Sequence, residues 1–546
     1  MKKRIIALIL LITLFACGAF GCGNSSGDMD EDKNSSGSMA EEGADVEKPE
    51  TVEDNTPSEV SVDTSETVQL RIMVQTGLDL DTLPMFQRIE EKCNVDFVWD
   101  SVESGYSEKK AVVLASNDLP DIFFAGLTED DIVANPELFV DFSTLMEYAP
   151  NVEKMFEEVP LTKYVSTYGD NGVLSLPQVT GFNPKSWEVM MINKNWLDKL
   201  GLEVPTTLDE LEEVLKAFKE KDPNGNGKAD EIPMDWPCEY GHGPYCLTGA
   251  YGFVDDKNKI TLQDGKVDFL YTTEEYKKVT AYLQNLYAQG LINPEVFTTT
   301  DYSVANALSG EGDVARVGFT FGWSVEGRAG KFMDEYIVLP QLKADESVTN
   351  PLWACGPTER VNTSVACVLS KSCKNPERAM MVINEFYSED FALQEYYGSS
   401  PEFVEKQEDG SWIVKEPINE TIEEQKLKNA LVNRGPCYTS PDLESRTTLP
   451  AELQSRLDQD NVYADFWPAD DQIFPTVKFD NEALEELTYL KADIDKYVDQ
   501  KSAEWVVNGG IDEEWDGYLE QLQKMGIDRM REIYQDAYDK RIAETQ

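Results

Sequence analysis

Val68-Gln69-Leu70-Arg71-Ile72-Met73-Val74 sets apolar side chains at every second residue, the period of a strand with one buried face. Outward from it, Pro84 to Cys93 has helical spacing and Val95-Asp96-Phe97-Val98-Trp99 reads as a second strand. Glu108 to Ser116 follows as a second helix, then Asp121-Ile122-Phe123-Phe124-Ala125 as a short buried strand. This βαβαβ order predicts a parallel sheet with right-handed crossovers, the core of an α/β fold. Ligands of such sheets bind beyond the carboxyl ends of the strands, which makes Phe124, Ala125 and Gly126 candidate cleft residues.

Further strands are expected at Gly172–Pro177 and Val189–Asn193. Thr207-Leu208-Asp209-Glu210 has capping-box spacing ahead of an apolar face built from Leu208, Leu211, Val214, Leu215 and Phe218. Asn375-Pro376-Glu377 pairs an N-cap residue with proline at the first helical position. Leu484, Leu487, Leu490, Ile494 and Tyr497 form a helical stripe near the C-terminus. Trp515, Leu519 and Leu522 start another, which Gly526 separates from Met530, Ile533, Tyr534 and Ala537. No internal repeat of 20–50 residues is visible.

The 546 residues are enough for two to four domains, each with its own core. A net charge of −54, from 48 Lys+Arg against 102 Asp+Glu, excludes nucleic acid as a partner, because such a surface repels phosphates. Met1-Lys2-Lys3-Arg4 followed by the apolar run Ile5–Ala16 reads as a secretory signal, too short to span a bilayer as a mature helix. Small residues before Cys22, and before the alternative Cys17, resemble a bacterial lipobox whose diacylated (palmitate-bearing) cysteine anchors the chain to the cell membrane. Residues 1–22 are then the signal peptide ending at the lipidated cysteine, and 23–66 an acidic tether too poor in apolar residues to fold. Seven cysteines remain beyond it, an odd number with no CxxC pair, so buried thiols are as well supported as local bridges Cys238/Cys246 and Cys367/Cys373. The single histidine, His242, argues against histidine-dependent hydrolysis and histidine metal centres.

One loop carries specific chemistry. Asp222-Pro223-Asn224-Gly225-Asn226-Gly227-Lys228-Ala229-Asp230-Glu231 sets oxygen side chains at positions 1, 3, 5 and 9, glycine at the sharp turn of position 6, and a carbonyl at Lys228. Hard cations take six to eight oxygens from such turns, so calcium is the expected ion, in a structural role. Position 12 is Pro233 where an EF-hand has glutamate, which leaves Glu231 to complete the shell.

From Val68 to the C-terminus the sequence resembles the extracellular solute-binding proteins of ABC importers, and within them the large oligosaccharide- and alginate-binding lipoproteins. The resemblance rests on Asn193-Lys194-Asn195-Trp196-Leu197-Asp198-Lys199-Leu200-Gly201-Leu202, the DPNGNGKADEIP loop, Leu286–Glu295, Lys374–Glu377, and Trp515-Asp516-Gly517-Tyr518 with Tyr534–Tyr538. It implies a class II periplasmic-binding-protein-like fold, two α/β lobes joined by hinge strands. Lobe one would comprise 67–186 and 363–440, and lobe two 187–362 and 441–546. The family's calcium ligands map onto Asp222, Asn224, Asn226, Lys228 (carbonyl), Asp230 and Glu231.

A sugar ring offers an apolar face for aromatic stacking and a rim of hydroxyls for carboxylates, amides and arginine. Candidate ligand residues are therefore Trp187, Trp236, Tyr240, Tyr245, Trp323, Trp353 and Trp467, with Glu188, Arg360 and Arg434 as polar contacts. Trp323, in Phe321-Gly322-Trp323-Ser324, resembles the family's stacking tryptophan. The expected function is a membrane-anchored, monomeric receptor that captures an oligosaccharide and delivers it to an ABC permease without catalysis. A peptide or signalling-ligand receptor on the same fold is the alternative, and a glycoside hydrolase with two carboxylates a more distant one.

Overall fold

The computed structural model describes residues 62–116, 118–237, 243–256, 258–299, 308, 310–356 and 361–545. The lipobox cysteines Cys17 and Cys22 lie outside these residues, as do Cys238, Tyr240, His242 and Arg360. The strands are β1 (Val68–Val74), β2 (Val95–Ser101), β3 (Ile122–Phe124), β4 (Leu176–Gln178), β5 (Val189–Asn193), β6 (Ile232–Asp235), β7 (Ile260–Gln263) and β8 (Lys266–Phe269). They continue as β9 (Gly310–Glu311), β10 (Val314–Ala315), β11 (Val317–Gly322), β12 (Tyr336–Val338), β13 (Thr363–Leu369), β14 (Val404–Lys406), β15 (Trp412–Val414) and β16 (Thr447–Thr448).

The alternating pattern at Val68–Val74 becomes the centre of a five-stranded sheet in the order β2-β1-β3-β13-β4. β1 runs parallel to both β2 and β3, as the βαβαβ reading requires. The sheet is nonetheless mixed: β13 arrives late in the chain and pairs antiparallel to both β3 and β4. Leu70, Ile72 and Val74 pack with Phe86, Ile89 and Phe386 on one face, while Met73 joins Phe123, Phe139 and Val368 on the other. With both faces covered, this sheet has the burial expected of parallel α/β strands.

Three expectations change here. Phe124 is wholly buried, with its ring edge-on to Phe386 at 4.9 Å, and belongs to the core and not to a cleft. Gly126, at φ +76, lies under the Tyr106 ring, where a Cβ would come within 2.3 Å. The chain is ordered from before residue 66, because Asn94 donates to the Thr64 carbonyl at 2.8 Å and Arg378 to that of Glu66.

The second sheet has the order β12-β5-β11-β6, with β5 antiparallel to β11 and β12 and β11 parallel to β6. The helix Leu208–Glu220 covers it through the stripe the sequence showed, Leu208, Leu211, Val214, Leu215 and Phe218. Thr207 caps that helix by accepting from the Glu210 amide, but Glu210 reaches back to Thr206, one residue short of a full capping box. Asn375, by contrast, makes no side-chain cap bond ahead of the helix Pro376–Phe386. At the carboxyl end of β6, Asp235 accepts from Arg328 at 2.6 Å and from Asn293 at 3.0 Å, an ion pair sealed from water.

A third cluster joins the β7–β8 hairpin to the helices Asn481–Asn508, Ile511–Met525 and Ile527–Thr545, centred on Trp505, Trp515, Tyr518 and Tyr271. β14, β15 and β16 form a small sheet in which Thr447 pairs with Trp412, so the chain just after 440 pairs with a segment expected in lobe one. No helix among the described residues is long and apolar enough to cross a membrane. Cys93, Cys246, Cys355, Cys367, Cys373 and Cys437 are all buried free thiols, so no Cys367/Cys373 bridge forms.

Glu395 is enclosed beside Gly435, Cys437 and Gln178, and burial pushes its carboxyl up to about 8 against the backbone amides of Gly435 and Arg434. The folded state therefore holds a proton that the unfolded chain releases near pH 4.5, so this group's contribution to stability falls as pH rises from about 4.5 to about 8. Glu395→Gln should match the native protein near pH 5, gain in Tm relative to it up to pH 8, and level off above. Scanning calorimetry across that range checks this.

Candidate functional site

The two sheets are joined by irregular segments that pair through single bridges, and most of the candidate tryptophans are best understood from those crossings. Val179 bridges Tyr438, and Ser186 bridges Cys355. The Asp460 carboxylate accepts from the amides of Lys185 at 2.8 Å and Ser186 at 3.0 Å, and also from the Ser186 hydroxyl. Asp460 ends the helix Ala451–Asp460, and Arg456, one turn earlier, donates from Nη2 to the Ser186 carbonyl at 2.9 Å and hydroxyl at 3.0 Å. The same guanidinium lies over the Trp323 ring, 4.6 Å from its centroid. A buried cation on an indole face contributes cation–π attraction and fixes the ring's angle.

Trp323 follows β11 directly and is the one tryptophan of the ten with a large exposed area, 39 %. Arg456 covers one face, which leaves the remainder of the ring to solvent. Trp187 is half-buried, with its six-membered ring against Gly356, where a Cβ would approach to 2.6 Å. Trp467 is also half-buried, and the Lys185 ammonium lies 5.8 Å from its centroid. Three of the expected tryptophans are thus tied to the crossing Lys185–Trp187, two of them through cations. A prefixed aromatic surface of this kind suits the apolar face of a sugar.

The remaining candidates divide differently. Trp353 is fully buried and stacked on Tyr463 at 4.3 Å, so it is a core residue. Trp236 is buried edge-on to Phe297, and Tyr245 stacks on Tyr276 at 4.7 Å while its hydroxyl meets Thr280 and Ser502. Glu188 is buried and accepts from the Cys246 thiol at 3.0 Å. These four serve packing. Arg434 is exposed and donates to the Gln75 carbonyl at 2.9 Å, just past the carboxyl end of β1, a position open to ligand. Tyr240 and Arg360 lie outside the described residues. Arg456 and Asp460 were missed by sequence reasoning; their only signal is charge complementarity at a spacing of four residues on one helix.

The loop between the helix Leu208–Glu220 and β6 is drawn around its own oxygens. Asp222, at φ +44, accepts from the amides of Asn226 at 3.1 Å and Gly227 at 3.0 Å. Asn224 and Asn226 turn their amide groups toward Asp230 at 3.1 and 3.0 Å, and Asn226 also takes the Lys228 amide at 2.7 Å. Gly225 and Gly227, both at φ +74, supply the left-handed turns. Glu231 Oε1 is buried and accepts no hydrogen bond, and burial, with Asp222 and Asp230 nearby, holds its carboxyl above the usual range. An unmet carboxylate oxygen beside Asp222, Asp230 and two side-chain amides fits a hard cation. Lys199 and Arg316 brace the loop from outside, through the carbonyls of Pro223 and Asp230.

Comparison with known proteins places the chain in a family. Residues 81–392 match the family described as bacterial extracellular solute-binding protein. The chain is 30% identical over 477 residues to the fructooligosaccharide ABC transporter substrate-binding protein FusA of Streptococcus pneumoniae serotype 4, covering 83% of this chain and 86% of FusA. Among solved structures, an HMO-binding, ABC-transporter-associated solute-binding protein from Bifidobacterium longum infantis aligns with TM-score 0.79 at 29% identity, over 87% of this chain and 99% of that one. FusA in complex with kestose aligns with TM-score 0.76 at 28% identity, over 88% and 100%, and a FusA EF-hand mutant with fructo-nystose at 0.75 and 28%, over 87% and 100%.

Removing Arg456 leaves the Asp460 carboxylate buried without its cation. Arg456→Ala should cost about 3 kcal/mol of stability, while Trp323→Ala, at a largely solvated ring, should cost under about 1 kcal/mol. Urea denaturation of both variants checks this contrast.

Proposed function

The chain belongs to the bacterial extracellular solute-binding proteins, and from that premise we propose that it captures an oligosaccharide between two lobes and passes it, chemically unchanged, to an ABC transporter permease. The lobes we infer are 67–186 with 363–440 and 187–362 with 441–546. The two larger sheets support this partition, since the five-stranded sheet draws only on the first pair of segments and the four-stranded sheet only on 187–362, whereas β16 pairs with β15 and ties the start of 441–546 to lobe one. The observation that carries the reading is Trp323: an indole with one face held by a buried guanidinium and the rest presented to solvent beside a crossing segment. That FusA and the Bifidobacterium protein are oligosaccharide-binding by name adds support for the substrate class.

The chemistry is selective binding. Trp323, Trp187 and Trp467 supply stacking surface and Arg434 a donor to hydroxyls, each aromatic contact being worth about 0.5–1.5 kcal/mol beyond its buried area. Bending at the crossings would bring both lobe surfaces against the ring and create the closed shape a permease reads. Calcium, held by Asp222, Asn224, Asn226, the Lys228 carbonyl, Asp230 and Glu231, would supply structural crosslinking of the loop; its site lies outside the tryptophan cluster. Cys22, or in its place Cys17, would carry the lipid that keeps the receptor at the outer face of the membrane.

Two measurements test this. Calorimetry against fructo-, gluco- and galacto-oligosaccharides should give saturable binding to at least one, with Trp323→Ala weakening it about tenfold, roughly 1.4 kcal/mol, and with no product released on prolonged incubation. Binding of peptides alone would overturn the reading. Calcium should raise Tm reversibly, EDTA should lower it, and Asp222→Ala with Glu231→Gln should abolish the shift without preventing folding.

A further inference from the structure

A separate cavity of about 700 Å³ lies where the end of the last helix and the strap Lys478–Asp480 meet the segment Pro160–Asn171. None of the tryptophan cluster lines it, and its volume falls in the range of small-molecule sites. Its walls include the rings of Tyr164 and Tyr168. Its charge is unusual for this molecule: Lys163, Lys478, Lys540 and Arg541 face Glu129, Asp480 and Glu544, an excess of cations in a chain whose net charge is −54.

Lys478 is the decisive group. Its ammonium donates to the Thr167 carbonyl at 2.6 Å and lies 3.9 Å from the centroid of Tyr168. Among the described residues it forms no ion pair, and it is half-buried. A half-buried ammonium satisfied by one carbonyl and one ring still has donors to offer, and Glu129 and Glu544 offset its desolvation only in part. Arg541, itself buried, is held 4.1 Å over the ring of Tyr164. The two tyrosines thus steady two cations along the wall of one cavity.

We propose that this cavity binds a small organic anion, a carboxylate- or phosphate-bearing molecule no larger than a disaccharide, through Lys478 and Arg541. The site does not depend on the oligosaccharide reading and would operate beside it. Burial lowers Lys478 to about 8, with Lys540 acting in the same direction and Glu129 and Glu544 opposing. Asp480 on its own strap and Lys163 on the facing wall complete the charged surroundings. Anion affinity should therefore fall as the pH rises through 8.

The test is calorimetry on the full-length chain in detergent, with glucuronate and inorganic phosphate as probes and glucose as the neutral control. Saturable binding of glucuronate identifies a sugar acid as the fitting source, and of phosphate alone a phosphorylated one. In either case binding should weaken about tenfold at pH 9, where about a tenth of the ammonium remains charged. Lys478→Gln should abolish binding, Lys478→Arg should retain it and lose the pH dependence, and Trp323→Ala should leave it unchanged. Silence of both acids, equal binding of glucose, or a Lys478→Gln protein that binds like the parent would overturn the proposal. If the glutamine variant does not fold, the pH profile of Lys478→Arg against the parent decides.

Discussion

The carboxylate of Asp460 fixes how the chain leaves one sheet and enters the next. It takes the consecutive amides of Lys185 and Ser186 together with the Ser186 hydroxyl, so three donors of a crossing segment end in one buried anion. Buried backbone donors must be met, and here a side chain meets them where no neighbouring strand does. Arg456 balances the charge from the same helix and, in doing so, sets the tilt of Trp323. Structural support and recognition surface are one network: what holds the crossing also aims the exposed indole.

Local pattern revealed much of this fold. The alternation at Val68–Val74 and the spacing of Leu208, Leu211, Leu215 and Phe218 each bury the face they present, because period and burial are properties of a single segment. The tight turn from Asp222 to Glu231 was legible for the same reason: its glycines and its internal hydrogen bonds lie within ten residues. What sequence could not show was long-range partnership. Trp353 stands in a stretch without regular structure yet stacks on Tyr463, and Tyr245 is claimed by Tyr276 and Ser502. A tryptophan in a loop looks identical on paper whether its face meets solvent or another ring.

Arg456 was obscured by a related difficulty. In a chain with so many charges, an arginine four residues from an aspartate reads as an ordinary helical pair on a wet surface, whereas here it is buried against an indole. The cation-rich cavity is equally invisible locally, since Lys478 and Arg541 come together with Tyr164 and Tyr168 only after the last helix docks.

The late arrival of β13 has a kinetic consequence. It fills the gap between β3 and β4, and both neighbours were synthesised long before it. Until Thr363–Leu369 emerges, the earlier strands offer open hydrogen-bonding edges and cannot complete a stable sheet. High contact order of this sort slows folding.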